Sequence, residues 1–455
     1  MSFYIEKKGG IHMDKIIVFK PTKIFNIGER KFLYSIEDSR LFEIDDKLEQ
    51  ILALSGHSVE ELFNIFAKEK NIEIEETKNL LQMIYDAGLV LDSNSDETES
   101  ENMQLAALTL MICQECNMKC AYCYGDGGEY NNRGKMSLET ALRAIDYLIE
   151  NSLDTKLAIA FLGGEPLLNF GLIKEIVKYC SIKEAETGRT FSYTITTNGT
   201  LMTPEIENFL ISNHIKTQIS IDGTKEDHDQ MRYFNKKKPS YTVVVDKTKS
   251  MREKNLLTAR ATLSPKNLDY IKTFDHLVNL GFTAVPIEPA KNLLSETDSE
   301  IELTEYIKYL EYFKAHIKQG NLDIVNKMTD FTKALEKIEN AGKRKYGCGA
   351  FHRMYAVDID GKLYPCHRFV GIPEFCVGNI YEKREKETEQ CQHVNDRHKC
   401  SVCWLKNLCG GGCAYENYVE NGSINIASAD FCHHMELLYS AIIEIFIEKY
   451  YINVK

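Results

Sequence analysis

No apolar run in this chain reaches the roughly 18 uninterrupted residues that a membrane span needs. The opening stretch, MSFYIEKKGGIHMDK, lacks the apolar core of a secretory signal. Met1–Met13 is given no role in the fold, and the expected location is cytoplasmic. A basic excess is missing too. The formal charge is −12 and no lysine and arginine stripe dominates, so neither a nucleic acid nor a membrane is an expected partner. The one short basic cluster, NKKKP at Asn235, reads as a solvated loop. No internal repeat is present. What remains is an acidic chain of 455 residues, 44% of them hydrophobic, long enough for two or three globular domains.

Cysteine is abundant, with 14 residues. A disulfide framework suits a small secreted domain, which this chain is not, so metal–thiolate sites in a reducing compartment fit better. Cys116, Cys120 and Cys123 open the pattern at CxxxCxxC spacing in CNMKCAYCYGDGGEY. Late in the chain come Cys348 and Cys366, then Cys400-x2-Cys403-x5-Cys409-x3-Cys413, then Cys432. Cys113, Cys180, Cys376 and Cys391 read as structural or incidental.

Three blocks organise the rest. In the first, residues 14–92, KIIVFK and KFLYSIED read as strands, followed by three amphipathic helical stretches. The acidic, polar segment over 93–104 reads as a linker. The second block, 105–300, alternates strand candidates (LTLMIC, LAIAFLGG, FSYTITTNG, KTQISIDG, LTARATLS, FTAVPIEP) with helical patterns such as SLETALRAIDYLIENS and GLIKEIVKYC. Repeated strand–helix units predict an α/β fold with a parallel sheet and right-handed crossovers. Six units are too few for a closed eight-stranded barrel, so a partial (β/α)6 TIM-like barrel, open on one side, is expected. Chemistry in such folds gathers at the C-terminal ends of strands, and the cysteine trio follows the first strand. The third block holds a helical bridge at 301–344, a cysteine-rich segment at 345–434 and a final helix at 435–455.

Three thiolates on one loop can hold three irons of a [4Fe–4S] cluster and leave the fourth iron open. A structural zinc site would recruit four ligands instead, and buried core cysteines are the blander alternative. With Tyr122 just before its last cysteine, this loop resembles the signature of the radical S-adenosylmethionine enzymes. The resemblance implies that the open iron chelates S-adenosylmethionine, whose reductive cleavage yields a hydrogen-abstracting 5′-deoxyadenosyl radical. It further implies that Tyr122 packs on adenine. Gly163, Gly164 and Glu165 of GGEP would meet the methionine amino group, Ser220 and Asp222 would lie near the ribose, and Arg260 near the carboxylate. Thr196 and Asn198, in TTNG at the third strand's end, join this set.

The late cysteines resemble the SPASM extension of that family, which carries two auxiliary [4Fe–4S] clusters, making three in all. By that resemblance Cys400, Cys403, Cys409 and Cys432 ligate the distal cluster, and Cys348, Cys366 and Cys413 the nearer one. Anaerobic sulfatase-maturating members place a further cysteine where this chain has Met354, and a proton-accepting aspartate where it has His367. An iron left open at the nearer cluster invites a soft ligand such as a peptide thiolate, although Cys376 or Cys391 is an alternative occupant. YPCHRFVG and CAYCYGDGGEY look like the maturases that form thioether cross-links (the sactipeptide and ranthipeptide type) in ribosomal peptides. His367, and Arg232 of HDQMRYF near the substrate channel, are then the catalytic candidates; Arg232 equally reads as a salt-bridge residue. His433 and His434 read as packing or hydrogen-bonding groups beside the clusters. The first block resembles the winged-helix-like leader-recognition element of peptide maturases, with a plain helical interaction domain as the alternative. The expected partners are a cysteine-containing precursor peptide, whose leader binds that element, and an electron donor such as flavodoxin or ferredoxin. Rival readings are a different peptide modification (carbon–carbon linkage, decarboxylation, epimerisation or sulfatase-type maturation) and a non-catalytic metal-binding module.

Overall fold

The strand Ala107–Gln114 is apolar except for Thr109 and Gln114, and all but its first residue is buried, as a strand covered on both faces must be. Lys156–Gly163, Thr190–Thr197, Lys216–Ser220, Leu257–Leu263 and Ile287–Pro289 follow it as the second to sixth strands of one sheet. They pair in parallel in sequential order. Helices Leu138–Glu150, Phe170–Thr187, Pro204–Ser212, Tyr241–Glu253 and Tyr270–Asn279 make the crossovers. Their starts are written locally: Ser137, Thr203 and Asp269 each accept a hydrogen bond from a first-turn amide. The molecule is a mixed α/β fold with a parallel-sheet core. The computed structural model describes residues 13–69, 72–91, 104–382 and 390–452. Apart from Gln104, the linker expected over 93–104 lies outside the described residues, as do residues 1–12.

Among the strands that the sequence did not show, one extends the barrel sheet. Met354–Val357 pairs in parallel with Ala107–Leu110, at the first-strand edge of the partial barrel. The sheet then turns antiparallel through Lys362–Tyr364 and Gly378–Asn379. The cysteine-rich block thus continues the barrel's own sheet and covers an edge that would otherwise expose unpaired amides and carbonyls.

The first block carries three antiparallel strands, Thr22–Ile27, Arg30–Ser35 and Arg40–Ile44, and helices Asp46–Leu52, Val59–Glu69 and Ile74–Asp86. The three helices match expectation. Of the strands, KIIVFK forms only Ile16–Ile17, and Thr22–Ile27 and Arg40–Ile44 are additional. Leu33, Ile51, Leu62, Phe66 and Ile84 give this block a core of its own. It sits on the cysteine-rich block: Phe25 and Tyr34 meet the ring of Trp404 edge-on, Lys406 pairs with Glu37 at 2.7 Å, and Asn407 donates to the Ile36 carbonyl.

In the third block, the helix Glu296–Lys318 starts earlier than expected, at a Ser295–Asp298 capping box. The last helix begins at Ala429 rather than Met435, so Cys432, His433 and His434 ride on its opening turns. It packs against Glu296–Lys318 and Thr329–Glu339. Among the described residues no helix is long and apolar enough to cross a membrane.

Phe161, fully buried on the second strand, stacks on Tyr193 of the third with centroids 6.0 Å apart. Phe161→Ala is expected to cost about 3–5 kcal/mol of stability, measured as a lower urea midpoint at unchanged m-value.

Candidate active site

The cysteine trio begins two residues beyond the first strand. Met118–Cys120 forms a short strand that pairs antiparallel with Arg232–Phe234, Arg232 standing opposite Cys120. The end of the second strand presses onto this loop. The Gly164 amide donates to the Cys113 carbonyl at 2.7 Å, and the Glu165 amide to the Glu115 carbonyl at 2.9 Å. Any side chain on Gly163 would collide with the Cys113 carbonyl, and Gly163 also holds φ at +136°. A side chain on Gly164 would collide with the Glu115 and Gly128 carbonyls. The double glycine of GGEP is therefore a demand of backbone contact.

Glu165 is fully buried. Its Oε1 accepts from the Leu167 amide at 3.0 Å and the Thr197 hydroxyl at 2.7 Å; its Oε2 accepts from the Asn198 amide at 2.8 Å. Burial raises its carboxyl above the usual range, and these three donors oppose the rise. Asn198 donates to Asn117 at 2.9 Å, and its Nδ2 lies 3.9 Å from the Cys116 sulfur. Thr197, which the sequence did not single out, makes the contact to Glu165. Thr196 faces Gln218 on the fourth strand, 3.3 Å away. Alternation along the strand separates the two, a signal present in TTNG once a residue beside it is known to point inward.

Tyr122 donates to Asp222 and accepts from Arg232 Nη1 at 2.7 Å. Asp222 also accepts from the Thr262 amide at 3.1 Å. Burial raises both the Tyr122 phenol and the Asp222 carboxyl, while the Arg232 charge opposes both shifts. Arg232 is 8% exposed, and its buried Nε has no hydrogen-bond partner among the described residues. Ser220 ends the fourth strand in register with Arg260 on the fifth, and Arg260 forms an ion pair with Glu288 at 2.6 Å. His367 lies 6.1 Å from the ring of Tyr124, the residue after Cys123. Burial, with help from Arg368 and Arg260, lowers His367 to about 4, so it is neutral at pH 7. Arg368 pairs with Glu416 and lies over the rings of Tyr124 and Tyr415. These contacts bring the first cysteine loop and YPCHRFVG together.

The late cysteines fall into two sets. Cys348, Cys366 and Cys413 lie within electrostatic reach of one another. Cys400, Cys403, Cys409 and Cys432 do likewise. Cys391 accepts from Arg397 at 2.9 Å, and Cys376 is 3.6 Å from the Gly378 carbonyl. Of the neighbouring histidines, His434 pairs with Glu302 at 2.9 Å, while His433 lines a small cavity with Lys291 and Asp430.

The donor set fits iron–sulfur clusters. In all three sets an amide two residues on points at a cysteine sulfur: Met118 to Cys116 at 3.4 Å, Arg368 to Cys366 at 3.3 Å, Leu405 to Cys403 at 3.4 Å. Hydrogen bonds to sulfur are among the means by which proteins tune such clusters. Burial pushes the Cys116 and Cys366 thiols up to about 12, so without a metal these thiols stay protonated and a bound metal would supply the charge that deprotonates them. Among the described residues no three His, Cys, Asp or Glu side chains converge to ligate a single ion. A cube of four irons makes no such demand, because each thiolate takes its own corner.

The family description "Radical SAM superfamily" matches residues 110–278. The chain is 30% identical over 280 residues to an uncharacterized protein of Methanocaldococcus jannaschii, covering 61% of this chain and 90% of that protein. It is 26% identical over 333 residues to the cysteine-type anaerobic sulfatase-maturating enzyme of Clostridium novyi, covering 68% of this chain and 87% of that enzyme. The fold resembles the solved structure of native anSMEcpe with bound AdoMet and Cp18Cys peptide, with TM-score 0.64, 18% identity, and coverage of 76% of this chain and 98% of that one.

Two outcomes follow from the geometry. Gly164→Ala should abolish iron loading at the first loop, measured as loss of one cluster's share of bound iron while the late cysteines load normally. The second concerns pH. His228 is fully buried, and burial lowers it to about 3 against about 6.5 in an unfolded chain. Between these values the unfolded chain binds the extra proton. This contribution is therefore complete above about pH 6.5 and is lost as pH falls toward 3. The urea midpoint should drop from pH 7 to pH 5, and drop less in a His228→Asn variant.

Proposed function

This chain belongs to the radical SAM superfamily, and from that premise we propose that it modifies a cysteine-containing peptide by joining a cysteine sulfur to a carbon as a thioether. One observation supports the reading: Cys348, Cys366 and Cys413 lie within electrostatic reach of one another as a set of three. Met354, where sulfatase-maturating members have a further cysteine, begins the strand that pairs with the barrel. Three protein ligands leave a position for a substrate, as catalytic metal sites do, and a peptide thiolate suits it.

Held by Cys116, Cys120 and Cys123, an iron–sulfur cluster would supply the electron that cleaves S-adenosylmethionine and so the radical that takes a hydrogen from the peptide. The chain's own residues position the reactants. Gly163, Gly164 and Glu165 present backbone and carboxylate at the second strand's end, with Asn198 beside them. Tyr122, Ser220 and Asp222 form the wall for the adenosine portion. Arg260 meets a carboxylate only by sharing its guanidinium with Glu288, which a five-donor fork permits. His367, neutral at pH 7 and next to Cys366, is placed to accept the proton of an incoming thiol. Each link removes two hydrogens from the peptide. One leaves on the cofactor's fragment, the other as a proton and an electron, so an electron acceptor is needed besides a donor such as flavodoxin or ferredoxin. The first block holds the leader by adding a strand to its three-stranded sheet, and tethering raises the local concentration of the peptide's core by roughly 10²-fold or more.

Sulfatase-type maturation is the second reading, favoured by likeness to the Clostridium novyi enzyme. Anaerobic incubation with a cysteine-rich peptide encoded beside the gene, read by tandem mass spectrometry, separates them. Thioether formation removes two hydrogens and one alkylatable thiol per link. Loss of a cysteine's sulfur would instead favour the second reading, and an unchanged mass with an inverted residue would favour epimerisation. His367→Ala is expected to lower cross-linking by about 10²–10⁴-fold while cofactor cleavage persists.

A further inference from the structure

His228 is fully buried and bonded at both ring nitrogens. The Asp222 amide can only donate, so Nδ1 accepts from it, at 3.3 Å. Nε2 then carries the proton and donates to the Ser240 hydroxyl at 2.9 Å, and that hydroxyl donates to the Arg232 carbonyl at 2.8 Å. The chain of bonds is polarised in one direction from end to end. It holds over physiological pH, because burial keeps the imidazole neutral. Asp229 closes the turn, accepting from the Ser240 and Tyr241 amides at 2.8 Å each.

Both ends of this relay reach the site. At one end Asp222 accepts from Tyr122. At the other, Arg232 pairs through its backbone with Cys120 and through its side chain with Tyr122. The Ala121 amide donates to the Met231 carbonyl at 2.8 Å, extending the seam. Lys238–Pro239 pairs with Tyr233–Phe234 on the far side, so the Arg232–Phe234 strand is bordered by pairing on both edges. The Met118–Cys120 strand has no other strand beside it among the described residues.

We propose that His228 and Ser240 are positioning residues for the cysteine loop: their buried hydrogen bonds fix the Arg232–Phe234 strand to the end of the fourth barrel strand, and that strand holds Cys120 and Tyr122 in place. The inference rests on the reading that Cys116, Cys120 and Cys123 hold the family's cluster. Neither His228 nor Ser240 touches the reacting atoms; they act through Arg232 and Asp222.

The test uses full-length protein reconstituted anaerobically, in wild-type form and as Ser240→Ala, Ser240→Thr and His228→Asn. Each is challenged with an iron chelator, alkylated over time and mapped by mass spectrometry, and its KM and kcat for S-adenosylmethionine cleavage are measured. In Ser240→Ala, Cys116, Cys120 and Cys123 should be alkylated at least about fivefold faster, the opening expected for loss of the two buried hydrogen bonds of the hydroxyl. Cys400 and Cys403 should keep wild-type rates, KM should rise more than kcat falls, and Ser240→Thr, which keeps the hydroxyl, should restore both readouts. A uniform increase at all cysteines would assign Ser240 a merely structural role and overturn the proposal, as would unchanged rates at the first loop. Should His228→Asn fail to fold, the Ser240 pair decides. A wild-type protein that does not cleave the cofactor refutes the reading of the site, and the alkylation comparison still decides whether the clamp exists.

Discussion

The close approach of two backbones at the top of the sheet constrains everything else. The end of the second strand lies against the cysteine loop with amide-to-carbonyl bonds at Gly164 and Glu165 and no room for a side chain at Gly163 or Gly164. That contact sets Glu165 beneath the loop, where three donors hold a buried carboxylate in one orientation. A carboxylate so placed is costly to bury and is tolerated only because its lone pairs are satisfied. The site is thus organised outward from a steric fact about glycine, and its electrostatics follow from it.

On the opposite side of the loop, the organisation is polar. Tyr122, Asp222 and Arg232 form one connected group, and Arg232 carries the compensating charge for both a buried carboxyl and nearby thiols. Arg368 plays a comparable part between the loop and the nearer late cysteines, paired with Glu416 and covered by two aromatic rings. Two arginines, each desolvated and each with named partners, join regions of the chain more than a hundred residues apart in sequence. Interactions of this kind are strong where water is excluded, and they fix relative position as much as they stabilise.

The third block belongs to the sheet as well as to the cysteines. By adding Met354–Val357 to the barrel's first strand it removes an open edge and fixes Cys348 and Cys366 relative to the cysteine trio. The first block rests on Trp404, between Cys403 and Cys409, so the proposed peptide-binding module and the distal cysteine set share one packed interface. The first block and the late cysteines are thereby mechanically continuous.

While the division of the late cysteines into two sets came only from resemblance to the SPASM extension, the sequence by itself determined the six strand–helix units, the three helices of the first block and the trio Cys116, Cys120 and Cys123. These are legible because strand alternation, helical periodicity and short cysteine spacings are local properties of the chain. It also contained GGEP and TTNG, but not which threonine of TTNG faces Glu165, since that depends on the direction in which one strand end is turned. Tertiary structure alone decided that Met354–Val357 joins the barrel, that the final helix begins early enough to carry Cys432, and that His228 reaches Arg232 through Ser240. Each of these joins residues distant in sequence or differently oriented by packing. Their pairing is fixed by burial and hydrogen-bond satisfaction across the whole fold, for which no local pattern stands proxy.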